Sequence, residues 1–227
     1  MSEIKVLSTN GVGSLLRELA PEFEGARGHK LLITWGATNR LKQEIADGKA
    51  FDVAILTAEA IDDLLREGKI VGRRSDIARS GIGVAVRAGA RKTDISTVDK
   101  FKRTLLAAQS VAYSAQGMSG VYFASLLERL GIADAMKPKS RVQATGPTGE
   151  VVARGEAELA IQQISELLPV EGVELIGPFP DDLQVFTVFS VGVGANAQDK
   201  GSAAALFEFL AAQKSNPLIK AKGLEPA

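Results

Sequence analysis

The chain has 227 residues, enough for one large or two small domains, and its 45% hydrophobic and 24% charged content is that of a soluble globular protein with a sizeable core. Lys and Arg balance Asp and Glu at 27 each, and no basic run carries interleaved aromatics, which argues against nucleic acid or membrane insertion as a role. There is no cysteine, so disulfides, thiolate metal sites and cysteine nucleophiles are excluded together.

Met1-Ser2-Glu3-Ile4-Lys5-Val6 leads directly into a strand, with neither a basic n-region nor an apolar h-region, and no span reaches transmembrane length. As written this predicts a cytoplasmic protein, or a periplasmic one from which a leader was removed. Ile4 to Ser8 reads as a short strand. Leu15, Leu16, Leu19 and Phe23 keep a helical stripe in which Pro21 predicts a bend or an early end. Between them lies Gly11-Val12-Gly13, and a dinucleotide fingerprint is unfinished there because Leu16 stands where the third glycine belongs. Lys30 to Trp35 is a second strand, and Gly36-Ala37-Thr38-Asn39 a tight polar turn in which Thr38 or Asn39 is the expected cap. A helix follows through Leu41 and Ile45. Phe51 to Leu56 is a nearly continuous apolar run suited to a parallel sheet buried on both faces. Strand, helix, strand, helix, strand is the βαβ signature. Ala58 to Glu67 is a third helix closed by Gly68.

Ile82 to Val86 is another strand, and Arg87 to Asp94 a polar crossing. Thr97 to Ala108 is helical; then come a strand at Ser110 to Tyr113, a glycine turn, and a helix from Gly120 to Leu130. Lys137 to Val142 leads to the Thr145 turn and a helix over Glu150 to Arg154. Leu159 to Ile164 is a strand carrying Gln162 and Gln163 at its end, where paired amides mean either an edge strand or a ligand contact. Val173 to Ile176 and Val185 to Val193 are strands, the second a return crossing; Ala203 to Ala212 and Leu218 to Gly223 are helices. Two interleaved lobes follow, 1–81 with 194–227 and 82–193, with hinge strands near 82–92 and 185–194.

A small polar turn between strand and helix recurs at Ser8-Thr9-Asn10-Gly11, at Gly36-Ala37-Thr38-Asn39, at Ser114 to Gly120, and at Thr145 to Glu150. A helix that starts this way has backbone N–H groups without partners and the positive end of a dipole, so it can hold a small anion. Other chemistries lack their residues. His29, the single histidine, lies in a loop read as solvated surface, which leaves no Ser-His-Asp set. No phosphate loop, no metal-ligand spacing and no cofactor motif occurs.

The opening strand and polar turn, the segment Leu41-Lys42-Gln43-Glu44-Ile45-Ala46-Asp47-Gly48-Lys49-Ala50-Phe51-Asp52-Val53, the Ser119-Gly120-Val121-Tyr122 helix start and the closing Gly155-Glu156-Ala157-Glu158-Leu159-Ala160-Ile161 together resemble the substrate-binding proteins of ABC importers, nearest to the molybdate-binding branch of the type II periplasmic-binding-protein fold. The resemblance implies two α/β lobes, each a mixed, mostly parallel sheet flanked by helices, closing on a small anion in the cleft. It implies hydroxyls and backbone N–H groups at helix starts plus a tyrosine hydroxyl as ligands. By position those roles fall on Gly11, Thr38, Ser119, Thr145 and Gln163. Gly11 stands where a serine is usual and Gln163 where the tyrosine is. With Asn10, Asn39, Arg40, Gln116 and Gln162 nearby in sequence, this donor set suits a carboxylate or polar organic acid better than a bare oxyanion. Arg40 could clamp a carboxylate, and Trp35 and Tyr113 could wall the cleft.

Two functions are expected. The first is a solute-binding protein for a small anion, with an importer's membrane subunit as partner if the ligand is delivered. The alternative is an isomerase or tautomerase of a small organic acid on the same fold, its base Glu150 or Tyr113.

Overall fold

The computed structural model describes residues 2–144 and 146–227, Ser215 by its backbone alone. The chain divides into two compact units. One comprises the residues up to Arg79 together with Thr187–Ala227, and the other Ser80–Phe186.

The first unit opens with β1 (Glu3–Thr9), α1 (Gly13–Arg27), β2 (Lys30–Gly36), α2 (Thr38–Ala46), β3 (Val53–Thr57) and α3 (Ala58–Arg66). The long strand β4 (Ile70–Arg87) then carries the chain into the second unit. There follow α4 (Val98–Ala107), β5 (Val111–Ser114), α5 (Met118–Arg129), α6 (Ala133–Met136), β6 (Ser140–Gln143), α7 (Thr148–Ala153), β7 (Leu159–Gln163), α8 (Ile164–Leu167) and β8 (Val173–Pro178). Strand β9 (Phe186–Gly194) returns to the first unit, which α9 (Lys200–Ala211), α10 (Leu218–Ala221) and β10 (Glu225–Pro226) complete.

In the first unit β2, β1 and β3 are parallel neighbours and β9 joins β3 antiparallel. In the second, β6, β5 and β7 are parallel neighbours, and β4 joins β7 antiparallel with β8 on its other side. Alternation across each strand feeds two layers. Val53 and Ile55 of β3 pack with Leu15, Leu19 and Phe23 of α1 and Leu206 of α9, while Ala54 and Leu56 pack with Leu41, Ile45, Ile61 and Leu64 of α2 and α3. In β7, Leu159 and Ile161 meet Phe101, Phe123 and Leu126 of α4 and α5, and Ala160 meets Val151, Val152 and Leu167 of α7 and α8. Both faces are therefore covered by helices. This is why the strands read as continuous apolar runs, and full burial of each such side chain contributes about 1.5–3 kcal/mol.

Three local expectations are corrected. Helix α1 does not stop at Pro21; it runs through to Arg27 and ends at Gly28 in the left-handed conformation, φ +67°. Its apolar stripe is buried on both sides of the proline, so packing outweighs the one backbone bond that proline removes. Strand β4 begins at Ile70 rather than Ile82. Its first part is polar because its charges are paired sideways, Arg74 with Asp62 at 2.7 Å and Arg79 with Glu225 at 2.8 Å. Strand β7 is flanked by β4 and β5, so the edge-strand explanation of Gln162 and Gln163 falls away. Asp52, in the Leu41 to Val53 segment, is a structural tie: buried, it accepts from Lys5 N and Gln198 N, both at 2.7 Å.

Candidate functional site

In each unit the polar turns lie at the carboxyl ends of the parallel strands, where the following helices start. That is where ligands bind in sheets of this construction.

In the first unit β1 ends in Ser8 and Thr9, both buried, with Ser8 Oγ donating to the Thr9 carbonyl at 3.2 Å. Asn10–Val12 form a single 3-10 turn into α1; Asn10 is exposed and Gly11 buried. Position 11 has no room for a side chain. A Cβ there would lie 2.3 Å from the tip of the Phe189 ring on β9. Three residues on, at the start of α1, Ser14 Oγ is buried and has no hydrogen-bond partner among the described residues. Sequence reading missed it, although a hydroxyl at a helix start is the signal that could have found it.

The turn before α2 departs from the expected capping. Ala37 is the cap residue and no side chain caps the helix; Thr38 is instead its first residue, 6% exposed, and Asn39 is exposed. Arg40 reaches back to donate to the Trp35 carbonyl and forms an i,i+4 pair with Glu44 at 2.6 Å, its side chain half exposed. Its guanidinium thus already has a carboxylate. Arg17, one turn into α1, stacks over the Trp35 ring at 5.1 Å. Thr57 caps α3 by accepting from Ala60 N at 3.4 Å.

In the second unit the end of β5 and the start of α5 are in van der Waals contact. Ser114 Oγ accepts from Gly117 N at 2.9 Å, and Ala115 N donates to the Gln143 carbonyl at the end of β6 at 2.8 Å. Ser119 is buried in the first turn of α5; beside it, a Cβ on Gly120 would lie 1.9 Å from the Ser114 carbonyl oxygen, so only glycine lets the helix sit this close. Tyr113 is half buried and meets Phe123 edge-on, ring centroids 5.1 Å apart.

The expected contact Thr145 lies outside the described residues. Just after it, Thr148 is fully buried at the start of α7 and gives both its backbone N–H and its hydroxyl to Gln162 Oε1, at 2.9 and 2.8 Å. That fixes the amide of Gln162, whose Nε2 donates to Glu166 Oε2 at 2.7 Å. Burial pushes the Glu166 carboxyl up to about 7, against the lowering effect of the Gln162 amide. Glu166 and Thr148 were not singled out from sequence, because only the fold brings a helix start to the end of β7. Gln163, 3% exposed, ends β7 opposite Ile82 of β4. Glu150 points to solvent from the first turn of α7, half exposed and 3.7 Å from Arg154.

His29, read as solvated loop, is half buried: its Nδ1 lies 2.7 Å from Ser2 Oγ and its ring stacks on Phe23. It belongs to the seam joining the start of β1 to α9, through Ser202. Among the described residues no group of His, Asp and Glu is placed to hold a metal ion, and no helix is long and apolar enough to cross a membrane.

These strand ends, furnished with glycines, hydroxyls and amides, place the chain beside known proteins. The bacterial extracellular solute-binding protein family matches residues 4–225. The chain belongs to that family. It is 38% identical over 233 residues to an aconitate isomerase of Pseudomonas sp., covering 100% of this chain and 88% of that protein. It is 24% identical over 237 residues to the molybdate-binding protein ModA of Azotobacter vinelandii, covering 98% and 89%. Among solved structures, the periplasmic molybdate-binding protein of Azotobacter vinelandii superposes with a TM-score of 0.77 at 19% identity, covering 97% of this chain and 98% of that one. The sulfate-binding protein of Mycobacterium tuberculosis superposes with a TM-score of 0.77 at 18% identity, covering 100% and 88%. The fold is that of the periplasmic binding proteins, and the molybdate-binding-like resemblance read from the sequence stands.

Proposed function

We propose that this family member takes up a small organic polycarboxylate of the aconitate kind and moves a proton on it, the isomerase alternative of the two expected functions. The observation that carries this reading is the 38% identity with an aconitate isomerase along the whole chain, against 24% with a molybdate-binding protein. The strand ends support it. Position 11 admits no hydroxyl side chain, and the buried Gln163 carries an amide, which can both donate and accept and so suits carboxylate and carboxyl groups better than a bare tetrahedral dianion; the Gln162 amide is spent on Thr148 and Glu166.

The chemistry needs no covalent intermediate. A base removes a proton from the methylene carbon of the acid, and the electron pair spreads through the double bond onto a carboxylate. The same proton equivalent then returns to the former vinylic carbon. The double bond moves by one carbon, and because the skeleton reads the same from both ends, the shift exchanges cis and trans forms. Backbone donors at helix starts stabilise the charge that develops on the carboxylate. Glu166 is the candidate proton carrier, since its raised pKa lets it exchange protons near neutrality. Glu150, exposed and beside Arg154, is displaced from that role.

The test is to incubate the purified chain with cis-aconitate in D₂O and follow it by proton NMR. Conversion to the trans acid with deuterium uptake is expected. Recovery of unchanged acid, with a raised melting temperature, would leave capture alone. That is the second reading, favoured by the family's solute-binding description, with an importer's membrane subunit as partner. A response to molybdate and none to aconitate would overturn the proposal. The family's extracellular description also favours a periplasmic location, which cell fractionation checks.

A further inference from the structure

We infer that Gly11 and Phe189 form a specificity pair, in which the ring holds the space a side chain at 11 would need and so withholds a hydroxyl from this strand end. Only the identity of the acid rests on the function proposed above; the steric part stands without it.

The contact is unusually close. A Cβ at Gly11 would lie 2.3 Å from Phe189 Cζ, 2.6 Å from Cε1 and 3.2 Å from Cε2. Packed interiors do not tolerate carbon atoms at the first two distances. The backbone does not demand glycine here, because Gly11 is absent from the glycines with φ in the left-handed region. Space alone demands it. Nor can the ring easily yield. Phe189 is 2% exposed, its backbone is paired with Thr57 across β3 and β9, and it belongs to the core cluster that includes Val12, Val53, Ile55 and Val191. A serine at 11 would drive the ring into filled core. Side-chain size at 11 and at 189 is therefore coupled.

The consequence is chemical. At the strand end beside Ser8, Thr9 and Asn10, a buried ring tip holds the space where a hydroxyl donor could have stood. A tetrahedral oxyanion, which needs a full shell of donors, loses one; an acid whose carboxylates find donors elsewhere loses less.

The test uses Gly11→Ser, Phe189→Ala and the double variant of the full chain, with melting temperatures and calorimetric titrations against cis-aconitate and molybdate. Gly11→Ser alone should lower the melting temperature and weaken aconitate binding at least tenfold. The double variant should lose less in melting temperature than the two single losses added together. Its ratio of molybdate to aconitate affinity should rise at least tenfold over that of the original chain. If Gly11→Ser does not fold, Phe189→Ala and the double variant still decide, since a serine that restores stability beside alanine demonstrates the coupling. Additive melting-temperature losses, or coupled losses with an unchanged affinity ratio, overturn the specificity pair. If the original chain neither binds nor converts aconitate, the functional proposal fails instead, and the pair is judged on whether the double variant gains molybdate binding; no gain overturns it.

Discussion

The two units repeat one plan and furnish it differently. In each, parallel strands are followed by one antiparallel strand, and the polar turns stand at the carboxyl ends of the parallel set. In the first unit the turns are shaped by absence: Gly11 under the Phe189 ring, Gly36 against the Arg40 guanidinium, and a helix α2 that starts without a side-chain cap. In the second they are filled by side chains, with buried Thr148 and Gln162 and half-buried Glu166 joined in one chain of hydrogen bonds. The same frame thus serves two purposes. Steric exclusion is set where a rigid ring meets backbone, and a carboxyl with a raised pKa is set where a buried threonine and glutamine hold it.

The glycines give the strongest test of that contrast. Gly120→Ala in the second unit pushes a methyl against a backbone carbonyl at 1.9 Å. Chemical denaturation should show a loss of about 3 kcal/mol or more, because backbone cannot rotate out of the way. Gly11→Ala meets a ring tip instead. Its loss should be about 1–3 kcal/mol, smaller than that at Gly120 in the same experiment.

Glu166 separates the units by pH. Its carboxyl binds a proton more tightly in the folded chain, with a pKa of about 7 against the ordinary 4.5. The folded state therefore holds more protons than the unfolded one between those values. The stability this provides is fully present below pH 4.5 and is lost as pH rises through 7, a difference on the order of 3 kcal/mol. Glu166→Gln should flatten that part of the stability profile, while the matching profile of Gly11→Ala keeps it. A slope unchanged by Glu166→Gln would show that another group titrates.

The smallest effects concern ligand contacts. Thr38→Ala in the first unit and Ser119→Ala in the second should each weaken aconitate binding about tenfold, or about 1.4 kcal/mol, with little change in melting temperature. Unchanged affinity in both would remove the two hydroxyls from the site. Loss in one alone would show which unit holds the acid more tightly.

Much of this organisation is legible in the sequence. Val53 to Leu56 and Leu159 to Ile161 announce themselves as doubly buried strands, because apolar side chains on both faces leave no polar alternation. The turns around Gly11, Thr38 and Ser119 announce helix starts, because small polar residues there interrupt one apolar periodicity before another begins, although no side chain at the cap position caps any of the three helices. The balanced charge and absent cysteine narrow the partners before any fold is known, and the family resemblance follows from local segments in order. What the tertiary structure decided depends on residues far apart in the chain. The polar half of β4 tolerates its charges because Asp62 and Glu225 arrive to pair its arginines, and β10 from the far end of the chain pairs with it at Ala78 and Arg79. Gln162 lost its freedom to Thr148 only when α7 met the end of β7, and Glu166 acquired its raised pKa only through burial in the fold. Gly11 is glycine because of Phe189, 178 positions later in the numbering. Periodicity and capping act over a few residues and can be read from their neighbours. Excluded volume and desolvation act between whatever the fold brings together, and no local pattern contains them.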